Sequence, residues 1–261
     1  MGKFVVIGER IHCISPVIRE AMANRNPEPI LKRAQEQIDA GATYLDVNIG
    51  PAESDGEERM KWAVQLLQDN FDNVPLALDT SNKKAIAAGV EVYNRSKGKP
   101  IVNSADAGDR ISYINVAADC DAIVIALCSK AGVPAGVDER MGYLMEMLEL
   151  GMGLGMEPDD MWFDPLVVVA KGMQDQLGDV LEALRQFSEQ GFKSTGGLSN
   201  VSNGMPKTLR PIMDSAFIAM CMQAGMTSAI INPCDQRMME TIKSCDIVKN
   251  NVLYADSYLD R

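Results

Sequence analysis

Tyr44-Leu45-Asp46-Val47-Asn48-Ile49-Gly50-Pro51 begins as a short apolar run with strand character and ends on a carboxylate and an amide. Upstream, Ile30, Leu31, Ala34 and Ile38 fall on one face of a helical period. Gly41 then sits where a helix C-cap belongs. The unit therefore reads helix, glycine, strand, polar rim, and the same unit recurs along the chain.

Working outward, runs rich in β-branched residues stand at 4–7, 44–47, 75–78, 100–102, 122–127, 161–163, 193–195 and 228–231, with longer helical stretches between them. Strands alternating with helices imply a parallel sheet, and eight is the number that closes a barrel. The expectation is an α/β chain, a (β/α)8 barrel forming one domain over residues 1–261. A doubly wound open sheet alternates in a similar way and differs only in strand order. At the far end Met238, Ile242, Cys245 and Val248 share a helical face that should pack against the strands. The run Gly151-Met152-Gly153-Leu154-Gly155 follows a helical stretch and precedes a strand. That is the reverse of the strand-turn-helix setting a dinucleotide fingerprint needs, so it reads as a helix end.

Composition narrows the function. The 261 residues carry a formal net charge of −11, which repels phosphate backbones and disfavours nucleic-acid binding. No segment offers the ~20 uninterrupted apolar residues of a membrane span, and the N-terminal run is too short for a signal peptide, so a cytoplasmic location is expected. Six cysteines, at 13, 120, 128, 221, 234 and 245, show no C-x-x-C pair; they read as reduced thiols, with no metal site expected.

The ends of the predicted strands are the most informative positions, because barrel chemistry is built there. In chain order they carry Glu9 and Arg10, Asp46 and Asn48, Asp79, Asn103, Ser129, Asp164, Ser199 and Asn200, and Asn232. Any one of these suits a helix N-cap or turn. Together they make a ring of donors and acceptors fit for a flat, neutral heterocycle with amide-like edges. A phosphate would ask for arginines, lysines and a glycine-rich amide nest, and a divalent metal for clustered carboxylates or histidines. The sole histidine, His12, has no G-x-S-x-G serine to serve, so classical nucleophilic catalysis finds no support.

Six stretches in order resemble the pterin-binding methyltransferases that exchange a methyl group between methyltetrahydrofolate and a corrinoid protein. They are Ile7-Gly8-Glu9-Arg10-Ile11, Leu45 to Pro51, Leu78-Asp79-Thr80-Ser81-Asn82, Val102-Asn103-Ser104, Phe163-Asp164-Pro165-Leu166 and Gly197-Leu198-Ser199-Asn200-Val201-Ser202. The similarity spans essentially the whole chain and extends to the folate domain of cobalamin-dependent methionine synthase. It implies a barrel, a homodimer, tetrahydrofolate as substrate, and a corrinoid carried by a partner protein. It also implies that Asp79, Asp164 and Asn103 hold the pterin edge, with Asp46, Asn48, Gly197 and Ser202 in the same mouth, and that Asn200 reaches N5 as the catalytic residue. Arg210 falls where relatives keep an arginine, either as a pocket residue or as a helix anchor. Two departures stand at the rim beside Glu9. His12 replaces an asparagine and could tune pH dependence, and Ser129 replaces another near N5. Two alternatives remain in view: a dihydropteroate-synthase-like enzyme, against which Ser199-Asn200-Val201 argues in place of Ser-Arg-Lys, and a non-catalytic pterin-binding module.

Overall fold

The computed structural model describes residues 2–52 and 54–259. Eight parallel strands follow one another around the sheet: β1 Val5–His12, β2 Tyr44–Asn48, β3 Leu76–Asp79, β4 Ile101–Asp106, β5 Ile123–Leu127, β6 Met161–Asp164, β7 Lys193–Ser194 and β8 Ser228–Ile231. The spatial order is β7-β6-β5-β4-β3-β2-β1-β8. Sequential order with parallel pairing selects the barrel over the doubly wound sheet, whose strand order reverses at a switch point. The remaining seam, between β7 and β8, is closed by a bridge between Gly197 and Ile230 and by hydroxyls. Thr227 Oγ1 accepts from the Ser194 amide at 2.9 Å and donates to the Ser194 carbonyl at 2.8 Å.

The barrel interior is packed rather than open. Ile7, Ala77, Ile101, Ile123, Ile125 and Trp162 fill it, with Val5, Tyr44 and Ile230 against them, as interdigitated layers of a small barrel require. A second apolar cluster lies between the strands and the helices. In the helix Glu28–Asp39, Ile30 and Ala34 are buried, and Gly41 just beyond it takes φ +97°. In the long helix Val137–Gly153 only Gly155, at φ +84°, serves the C-terminus; Gly151 is inside the helix, where any side chain would collide with Met161.

Several expectations need correcting. β1 runs on to His12 through an irregularity between Gly8 and Ile11, so Glu9, Arg10 and His12 belong to the strand rather than to a following turn. β4 likewise continues past Asn103 to Asp106. Val248 does not share the buried face of the helix Gln236–Val248: it is 85% exposed, and the fully buried residue is Asp246, whose carboxylate accepts from the Phe4 amide at 3.3 Å. A periodic count misses a polar side chain that satisfies the backbone donor just ahead of a strand. Among the described residues no helix is long and apolar enough to cross a membrane.

Candidate active site at the C-terminal mouth

Strand register assembles the site. His12 pairs with Asn48, Asn48 with Asp79 and Asp79 with Asn103, so four polar residues form one row across β1 to β4 at the C-terminal rim. On the other side of the mouth Leu127 of β5 pairs with Asp164, the last residue of β6. Period-two alternation sends Asp46 to the same face as Asn48, one step deeper.

Side-chain hydrogen bonds stitch the row together. Asn103 Nδ2 donates to Asp46 Oδ1 at 2.9 Å. The Asn48 amide donates to the Asp79 carboxylate and accepts from the Gly50 amide at 2.9 Å. Three of these carboxyls titrate high because burial disfavours the charged form. Asp46 is pushed well above the usual range by burial, with Asp79 and Glu9 adding to it. Burial pushes Asp79 up to about 6 against the hydrogen bond from Asn48 and the nearby Arg110. Asp164 also rises to about 6 by burial, opposed by the backbone amides of Leu166 and Gly197.

The seventh loop closes the mouth. Asn200 lies not at a strand end but on a 3-10 turn, Leu198–Ser202, and its side chain is exposed. Ser199 Oγ lies 2.6 and 2.8 Å from the two oxygens of Glu9, tying β1 to this turn, and burial raises the Glu9 carboxyl despite that bond. Arg210 begins the helix Arg210–Gln223 and grips the turn from behind. Its Nε donates to Ser202 Oγ at 2.9 Å and its Nη2 to the Ser199 carbonyl at 3.3 Å. Ser202 is fully buried in that grip. Gly197 faces Asn200 so closely that an added Cβ would stand 3.1 Å from Asn200 Nδ2.

Four rim residues take no part in this network. Ser129 is buried and donates to the Gly132 carbonyl at 2.5 Å, shaping its own loop. His12 is half-buried with Nδ1 unpartnered, and burial, followed by the Arg33 charge, lowers its pKa. Asn232 folds its own loop by accepting from the Cys234 amide at 3.1 Å. Arg10 leaves the mouth to pair with Glu36 at 2.6 Å.

The sequence did not single out the residues that support the site. Arg140 is completely buried and donates to the carbonyls of Pro165 at 2.8 Å and Gly136 at 2.9 Å, holding the loops after β5 and β6 together beside Asp164. Arg110, four residues beyond Asp106, pairs with it at 2.8 Å and sets a positive charge near Asp79. The pair lies on a strand end and the turn after it, so no helical spacing announces it. Among the described residues no group of three His, Cys, Asp or Glu side chains could hold a metal ion. All six cysteines are free thiols.

A barrel whose C-terminal mouth gathers carboxylates and amides is the architecture of pterin-binding enzymes, and the chain belongs to that family: the Pterin binding enzyme model matches residues 15–232. It is similar to the methylcorrinoid:tetrahydrofolate methyltransferase of Eubacterium limosum, at 28% identity over 255 residues, 95% of this chain and 92% of that protein. The methionine synthase of Mycobacterium leprae is 27% identical over 244 residues, 87% of this chain but only 20% of that much longer protein. Among solved structures, the dihydropteroate synthases of Xanthomonas albilineans (TM-score 0.74, 17% identity, 95% of this chain and 93% of that one) and Vibrio fischeri (0.72, 16%, 96% and 94%) share the fold.

Proposed function

We propose that this chain is a methyltransferase that moves a methyl group between N5 of tetrahydrofolate and the cobalt of a corrinoid protein. The observation that carries the reading is the convergence of Asp79, Asn103, Asp164 and Asn200 on one mouth, two of them paired by strand register and the last standing against Gly197. The similarity to the Eubacterium limosum methyltransferase over nearly the full length of both chains supports this chemistry over other pterin reactions.

In this reading Asp79 and Asp164 accept hydrogen bonds from the guanidine-like edge of the pterin, which Asn103 also holds; Asn48 orients Asp79, and Asp46 braces Asn103. The corrinoid cobalt supplies the electron pair that takes the methyl group. As the C–N bond breaks its pair stays on N5, and a group that donates there more strongly in the transition state lowers the barrier. Asn200 fills that role without itself titrating. Ser202 and Arg210 hold its turn, and Gly197 leaves it room. The single-domain reading over 1–261, a cytoplasmic location and a homodimer accompany the proposal.

The test is the spectral conversion of cob(I)alamin to methylcobalamin on adding methyltetrahydrofolate. The wild-type chain should catalyse it, and Asn200→Ala should slow it by ~100- to 1000-fold, the usual cost of one such donor. Folate binding without turnover would point instead to a pterin-binding module.

A further inference from the structure

The Asn200 side chain has two unlike ends, and only its NH2 can donate to a nitrogen that is gaining an electron pair. Turned the other way, it would present an oxygen and do nothing useful. Two contacts decide the direction. The Arg210 guanidinium can only donate, and its Nη2 lies 3.4 Å from Asn203 Oδ1. That leaves the Asn203 NH2 for its other neighbour, and it donates to Asn200 Oδ1 at 3.3 Å. With its oxygen taken, Asn200 keeps a free NH2, and this nitrogen is the atom standing over Gly197. The Gly197 backbone amide in turn serves the Asp164 carboxylate. The free donor therefore lies on the side of the turn that faces the site.

We propose that Arg210 and Asn203 form a relay that fixes the orientation of the Asn200 amide, with Asn203 as a positioning residue that does not touch the folate. The polarity runs one way. A cation that has no acceptor sets Asn203, Asn203 sets Asn200, and Asn200 is left as a donor. Arg210 is suited to start the relay because Ser202 Oγ holds its Nε and the Ser199 carbonyl anchors the same Nη2 that faces Asn203. The inference rests on the role given to Asn200 in the proposed function.

Asn203 is exposed, so it can be replaced without opening the core. The experiment measures single-turnover methyl transfer from methyltetrahydrofolate to free cob(I)alamin, together with the folate Kd, for Asn203→Ala, Asn203→Asp, Asn200→Ala and the Asn200→Ala/Asn203→Ala pair. Loss of one orienting hydrogen bond should cost Asn203→Ala about tenfold in rate, with Kd within about twofold. Asn203→Asp should lose at least as much, since a carboxylate cannot donate to Asn200 Oδ1. In the Asn200→Ala background the second substitution should cost nothing more, because the group it orients is gone. An unchanged rate in Asn203→Ala, or the same loss with Asn200 already removed, would overturn the relay while leaving the proposed function standing. A full rate in Asn200→Ala would overturn both.

Discussion

Asn103 donates its side-chain amide to Asp46 at 2.9 Å across the intervening third strand, binding the second and fourth strands above the apolar filling of the barrel. That contact keeps a nearly buried carboxyl satisfied, but it does not make the site comfortable for charge: burial, Asp79 and Glu9 all push the Asp46 proton affinity up. A carboxyl whose folded value lies above its unfolded one holds its proton longer in the native state. Stability is then lost as pH rises from the unfolded value, near 4, through the folded one.

Asp46→Asn should remove that loss. Its oxygen can still accept from Asn103, and no charge forms. Urea midpoints should match the wild type near pH 4 and exceed it at pH 8, at the expense of turnover, as expected where a site holds strained polarity. A variant less stable than wild type at pH 8 would mean that the Asp46 carboxylate is a net stabilising group.

In the proposed function Asp79 and Asp164, both pushed up to about 6, should set the pH dependence of folate binding. As acceptors for pterin N–H groups they act best when ionised, so folate affinity should rise with pH and level off above about 7. Below pH 6, each carboxyl that must lose a proton weakens binding by about tenfold per pH unit. Calorimetric Kd values from pH 5 to 8 would show this, and Asp164→Asn should flatten part of the slope. A wild-type profile without slope would remove these carboxylates from pterin recognition.

Much of this site was legible in the sequence for a simple physical reason. Strand ends are marked by an abrupt change from β-branched residues to Asp or Asn, and parallel register lines those ends up, as it does for Asn48, Asp79 and Asn103. What escaped were features carried by single contacts. The irregularity between Gly8 and Ile11 carries β1 to His12. The seam at β7 is closed by the Thr227 and Ser228 hydroxyls on the Ser194 backbone rather than by a long strand. Asp246 and Arg140 are buried by hydrogen bonds to distant backbone that no periodicity announces.

His12 stands in the row with Asn48, yet its lowered pKa keeps it neutral near pH 7. The unfolded chain, with an ordinary imidazole, binds a proton more readily, so stability should fall as pH drops below about 6.5. In His12→Asn this acid-side decline should shrink, while methyl-transfer rates above pH 7 stay as in wild type. A rate change above pH 7 would return the neutral imidazole to the chemistry.

Gly197→Ala tests the fit around Asn200 without removing any polar group. The Gly197 backbone has φ −73° and ψ 83°, on the side of the map open to alanine, so backbone strain is not at issue. The new Cβ would instead stand 3.1 Å from Asn200 Nδ2 and 3.9 Å from Cγ, too close to the nitrogen for ordinary contact. The amide must shift by a few tenths of an ångström or swing outward, and small misplacements of a group that acts in the transition state cost roughly tenfold or more. The substitution should therefore lower kcat by about tenfold with little change in KM. The melting temperature should stay within about 2 °C, since no core contact is lost. Combined with Asn200→Ala, it should cost no further rate, because the side chain it crowds is absent. A fall in folate affinity with kcat preserved would show that the space above Gly197 belongs to the pterin rather than to the amide.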